Sequence, residues 1–158
     1  VFYGRIKDRF AEVLREKAEN LGSEIMPPRF APDDAKIIAG EIISCLQQGA
    51  DLIVTSGGMS VDPDDVTREG IVLAGATDTV YGTPVLPGAM FLSGTLDGKP
   101  ILGIPACGMF HKITVLDLIL PRILTGQKID RREIAELGHG GLCRNCQTCR
   151  YPVCNFGK

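Results

Sequence analysis

The chain has 158 residues, 44% apolar and 23% charged, and its 17 basic and 19 acidic residues leave a net charge of −2. That length provides one domain with a substantial core and leaves no room for a second of similar size. The well-mixed charge offers no broad cationic face to nucleic acid, and no apolar run approaches the roughly eighteen residues of a membrane span. With no basic-then-apolar leader, a soluble, cytoplasmic protein is expected; because the first residue is Val1, so is a segment upstream.

In chain order, the apolar residues of 7–21 follow helical spacing and stop at Gly22. Residues 23–26 read as a short strand ended by Pro27 and Pro28. Pro32, Asp33 and Asp34 precede a second periodic run, Ile37, Ile38, Ile42, Cys45 and Leu46, which closes at Gly49. The stretch DLIVT over 51–55 is short, apolar and β-branched, the composition of a strand covered on both faces. A glycine loop and a short helix over 67–74 follow. Three further strands are predicted at 79–86, 90–96 and 100–104, the last two joined by an Asp97-Gly98 turn. A long helix over 109–124 ends before Gly126, and one more short helix is predicted over 129–137. Strands alternating with helices imply a three-layer α/β/α sandwich with a mostly parallel sheet. The division expected is an α/β domain over 1–137, its first strand missing upstream, and a Cys-rich tail over 138–158.

In an open parallel sheet, ligands bind beyond the carboxyl ends of the strands. Gly57 and Gly58 fall at that edge, where bare backbone can turn successive N–H groups toward an anion, although a plain tight turn has the same sequence. The loop is neither a Walker loop nor a G-x-G-x-x-G fingerprint. Asp65 stands where an N-cap would, as do Asp33 and Asp34 before the preceding helix. Alternatively, Asp33 and Asp65 meet across the sheet edge and hold Mg²⁺ beside a phosphate. Cys107 reads either as a small buried thiol or as a thiolate favoured by a helix N-terminus. His111 reads as a surface or capping histidine or, alternatively, as a base.

The tail concentrates Cys143, Cys146, Cys149 and Cys154 in the spacing C-x2-C-x2-C-x4-C. With little apolar material beside them, the four thiols point to an iron-sulfur cluster or Zn²⁺ in a reduced compartment, with disulfides or a free thiol tail as the alternatives. His139 is a candidate substitute ligand.

The run TSGGMSVDPDDVTREGI, over 55–71, resembles the signature of the molybdopterin-binding domain shared by MogA-like adenylyltransferases and MoeA-like molybdenum insertases. YGRIKDRFAEVLREKAENLG, PDDAKIIAGEI, VLPG and the segment from GKPILGIPACG onward resemble further parts of the family in the same order, over about 1–126. The resemblance implies that Gly57, Gly58 and Ser60 contact the phosphate end of molybdopterin and that Thr67 is a further cofactor-binding residue. It makes Asp33 and Asp65 the two essential carboxylates, with Asp34 as the alternative to Asp33, and Pro87 and Gly88 a ligand-facing loop. Two departures stand out. IPACG replaces the usual Leu-Pro-Gly-Asn-Pro, and Asp62 occupies the glycine of an insertase-type Ser-Val-Gly.

What the resemblance implies is a role in molybdenum or tungsten cofactor biosynthesis, by pterin adenylylation or metal insertion, in a homo-oligomer working with other cofactor-assembly proteins. A noncatalytic pterin-binding or delivery module with a metal-containing redox or docking tail is the alternative. A nucleotide-processing domain of the same fold, as in the competence-damage proteins, is a third.

Overall fold

The computed structural model describes residues 9–158. Five α-helices, four strands and one 3-10 helix alternate along them: α1 (Phe10–Glu19), α2 (Ala35–Gln47), β1 (Ile53–Ser56), α3 (Thr67–Leu73), β2 (Thr77–Tyr81), β3 (Leu92–Leu96), β4 (Lys99–Ile104), a 3-10 turn (Ala106–Met109), α4 (Val115–Leu124) and α5 (Arg131–Glu136). The expected start of the first helix, at 7 and 8, lies outside the described residues. No described helix is long and apolar enough to cross a membrane.

The sheet order is β1-β4-β3-β2. β4 pairs parallel with β1 but antiparallel with β3, and β3 antiparallel with β2. The expected mostly parallel sheet is therefore a mixed one. The cause is local: Asp97 (φ 50) and Gly98 (φ 75) both adopt positive φ and fold β3 directly onto β4 as a tight hairpin, leaving no crossover helix between them. No strand forms at residues 23–26, which have no ladder partner among the described residues.

Alternation along the strands builds two cores. Ile53, Leu92, Leu96 and Ile101 face α2 and α3, where they meet Ile38, Ile42 and Ile71. Leu102 and Ile104 face the opposite way, toward Phe10 of α1, Met109, and Val115, Leu116 and Ile119 of α4. Helices thus cover both faces of one sheet. α2 begins where the Asp34 side chain accepts from the N–H groups of Lys36 and Ile37 at 2.9 and 3.0 Å.

The single long helix expected over 109–124 is two pieces. Thr114 and Asp117 form a capping box, each side chain accepting from the other's end of the turn, and this starts α4 afresh after the 3-10 turn. Inside α4, Pro121 has no N–H, so the carbonyl of Asp117 loses its usual helical donor. The hydroxyl of Tyr151, 34 residues on, donates to that carbonyl at 2.8 Å. The C-terminal segment is fastened to the core there. Phe156 is buried in the α4-side cluster, and Gly157 lies so close to Leu118 that a Cβ would come within 2.5 Å of it.

Candidate functional site

The parallel register Ser56↔Ile104 brings the carboxyl ends of β1 and β4 to one edge, and the pair Tyr81↔Leu92 brings the end of β2 and the start of β3 to the same edge. Every loop leaving that edge meets its neighbours. Between them lies a cleft of about 710 Å³, lined by residues 58–60, 62 and 65 from the first loop, 86–90 from the second and 105–107 from the third, with His111 and, from the C-terminal segment, Leu142 and Cys143.

Gly57 (φ 80) and Gly58 (φ 57) turn the chain sharply as it leaves β1. Gly57 donates to the Ile104 carbonyl at 3.4 Å and closes the strand end, whereas the N–H groups of Gly58 and Met59 have no acceptor among the described residues. Thr67 supports this turn from beneath. It is buried, its N–H donates to the Gly58 carbonyl at 3.2 Å, and its Oγ1 fills the space a Cβ on Gly58 would need, 2.4 Å away. Tyr81 steadies the loop from the other side, donating its hydroxyl to the Met59 carbonyl at 2.7 Å while the Arg68 guanidinium stacks 4.5 Å above its ring. Nothing in the sequence pattern marked Tyr81; its role follows from the strand edge it ends.

Asp65 does not cap α3. The N-cap is Val66, which offers no side-chain acceptor, and the Asp65 carboxylate instead accepts the Ser60 N–H at 2.7 Å. This bond ties the two ends of the acidic loop together and leaves the carboxylate facing the cleft. Asp62 lines the same wall, and no Lys or Arg is among the lining residues.

Of the residues singled out in the sequence, Gly58, Ser60, Asp65, Pro87 and Gly88 line the cleft together. Gly57 and Thr67 sit behind it. Asp33 is exposed ahead of α2 and is not among the lining residues, while the neighbouring Asp34 is spent on its cap. Among the described residues no group of three or more His, Cys, Asp or Glu side chains is placed to hold a metal ion.

The four tail cysteines are not gathered at one point. Cys143 is drawn to the core, its N–H donating to the Leu86 carbonyl at 2.8 Å, and Cys154 also packs there, whereas Cys146 and Cys149 stand exposed between them. Backbone pairing with Leu86 fastens the start of this segment to the second loop.

Cys107 faces the cleft, but burial, the largest influence on it, pushes its thiol above the ordinary range and outweighs the backbone donors that favour the thiolate. The direction favours the reading of Cys107 as a buried thiol. Because a raised value delays ionisation, at pH 8 iodoacetamide is expected to modify Cys107 at least several-fold more slowly than the exposed Cys146 and Cys149, with the gap narrowing as pH rises. Site-resolved mass spectrometry measures these rates, and equal rates at pH 8 would show that Cys107 is ionised like a free thiol.

A cleft with two unengaged amides and two carboxylates on the first loop and mostly apolar side chains on the other two suits a ligand with a polar, anionic end and a flat, less polar remainder. Comparison with known proteins agrees. A profile described as "Probable molybdopterin binding domain" matches residues 1–125. A molybdopterin molybdenumtransferase of Haemophilus influenzae is 29% identical over 127 residues, covering 79% of this chain and 31% of that protein. A CinA-like protein of Thermosipho melanesiensis is 35% identical over 68 residues, covering 43% of this chain and 17% of that protein. The chain spans less than a third of the length of either relative. Among solved structures, the molybdopterin biosynthesis enzyme MoaB of Thermus thermophilus superposes with a TM-score of 0.64 at 22% identity over 79% of this chain and 86% of that one. A CinA protein of Thermoplasma acidophilum superposes with a TM-score of 0.65 at 17% identity over 77% and 90% of the two chains. These structural likenesses show the fold; the profile, which spans most of the chain, shows the family. This chain belongs to the molybdopterin-binding domain family.

Proposed function

We propose that the cleft binds molybdopterin and that the chain serves molybdenum or tungsten cofactor assembly. The observation that carries this reading is the pair of unengaged N–H groups at Gly58 and Met59, two residues that line the cleft at the end of β1. They receive the pterin's terminal phosphate, while its dithiolene and ring lie against the apolar lining. The relatives named for molybdopterin chemistry support the same assignment.

If the chain catalyses adenylylation, a phosphate oxygen of the pterin attacks the α-phosphorus of ATP and pyrophosphate leaves. The chain's own contribution is to hold that phosphate by backbone amides and to fix the loop through Asp65 and Ser60. The noncatalytic alternative has a specific observation in its favour. Pro105, Ala106 and Cys107 line the cleft where the family pattern carries an amide side chain, and Asp33 does not reach it.

Titrating the protein with molybdopterin, and then adding ATP and Mg²⁺, tests both. Saturable pterin binding is expected, and release of pyrophosphate in step with loss of free pterin identifies the transferase. Binding without turnover identifies the delivery module, and binding of ATP with none of molybdopterin would overturn the assignment in favour of a nucleotide-processing domain.

A further inference from the structure

The C-terminal segment is more than an appendage. Leu142 forms an isolated parallel bridge with Leu86, made by the Leu86 N–H to the Gly141 carbonyl at 2.7 Å and the Cys143 N–H to the Leu86 carbonyl at 2.8 Å. Both leucines line the cleft, yet both are largely open to solvent, Leu86 at 55% and Leu142 at 64%. Two large apolar side chains, set side by side by the backbone hydrogen bonds of this bridge and left uncovered at the mouth of a cleft, form a surface suited to an apolar ligand face.

The backbone that delivers them is held in place from several directions. Gly141 passes so close to the second loop that a Cβ would fall 2.2 Å from the Pro84 carbonyl. Beyond Cys143 the chain returns to the core, where Tyr151 caps the carbonyl orphaned by Pro121 and Phe156 is buried. Gly157 then donates back to the Gly140 carbonyl at 2.9 Å, closing residues 140–157 into a loop.

We propose that this loop is a built-in wall of the ligand site, with Leu142 and Cys143 contacting the ring portion of the bound pterin. The inference rests on the molybdopterin reading above and adds to it a ligand contact outside the 1–125 region that the family profile matches. Leu142 and Cys143 are thus specificity-determining residues supplied by the tail, and Tyr151 is a positioning residue acting through them.

Site-resolved iodoacetamide labelling of the intact, reduced protein tests this, with and without saturating molybdopterin. The expected result is that molybdopterin slows labelling of Cys143 at least fivefold, while Cys154, which packs on the same core but does not line the cleft, and the exposed Cys146 and Cys149 change by less than twofold. Two results would overturn the wall while leaving the pterin assignment intact: molybdopterin binding with no protection of Cys143, or equal protection of Cys143 and Cys154, which reports general stabilisation. Failure of molybdopterin to bind the wild-type protein in the parallel titration would overturn the pterin assignment and the wall together.

Discussion

Replacing Gly88 by alanine is expected to destabilise the protein by about 3–5 kcal/mol, the sum of a backbone conformation that L residues rarely adopt and the forced overpacking of a closed core. Gly88 holds φ 131, and a Cβ there would meet Val115 Cγ1 at 2.3 Å, Val115 Cβ at 2.7 Å and the Val115 N–H group's nitrogen at 3.2 Å. None of these atoms can yield cheaply. Val115 is fully buried at the first turn of α4, and its N–H is already donated to the Pro87 carbonyl at 3.0 Å. Gly57→Ala is the internal comparison. Its φ of 80 is also unfavourable, but no atom lies within 4 Å of the added Cβ, so only the backbone cost of about 1–2 kcal/mol applies. Urea unfolding with an unchanged slope should place the Gly88→Ala midpoint well below that of Gly57→Ala. Similar midpoints would mean that the 86–88 loop is free to move away from α4, and that Gly88 does not fix the cleft wall.

The same contrast shows what was legible in the sequence. β1, the Asp97-Gly98 hairpin and the start of α2 follow from local chemistry: a β-branched apolar run, a two-residue turn that needs positive φ, and an aspartate with two amides in reach. Gly57 and Gly58 were legible as a turn at a strand end. Three features were hidden because they depend on contacts between distant residues. The antiparallel placement of β2 is decided by which edge of β3 remains free, and the pattern within a strand says nothing of that. Asp65 has the sequence of a helix cap, and only the fold of the 57–66 loop brings the Ser60 N–H to it. The tail was read for its cysteines, whereas its position is set by Tyr151, Phe156 and close-packed glycines that meet α4 and the 84–86 segment. The proline in α4 was the one local signal available. A residue that strips a carbonyl of its donor inside a helix demands a partner from elsewhere in the chain.

Asp62 departs from the family pattern by placing a carboxylate where the cleft is proposed to take an anion. Two acidic side chains, Asp62 and Asp65, line a cleft with no lysine or arginine among its lining residues, beside the amides of Gly58 and Met59. The carboxylates oppose a phosphate by charge, while the amides attract it at short range. Asp65 is committed to the Ser60 N–H, so its removal would loosen the loop as well as change the charge. The Asp62 carboxylate is exposed and makes no hydrogen bond or ion pair among the described residues, its backbone carbonyl alone accepting the Asp65 N–H at 2.9 Å, which makes the side chain the clean test. In chelator-treated buffer, Asp62→Asn is expected to tighten binding of molybdopterin about three- to tenfold at low ionic strength, with the gain shrinking as salt screens the repulsion. The thermal midpoint should stay within a degree or two, because an exposed, unpaired carboxylate contributes little to stability. Isothermal titration of both proteins at low and high salt measures the effect. Weaker binding by the variant would mean that Asp62 attracts the ligand, through a cation or a hydrogen-bond donor on the pterin, and that the acidic loop is part of the recognition surface rather than a brake on it.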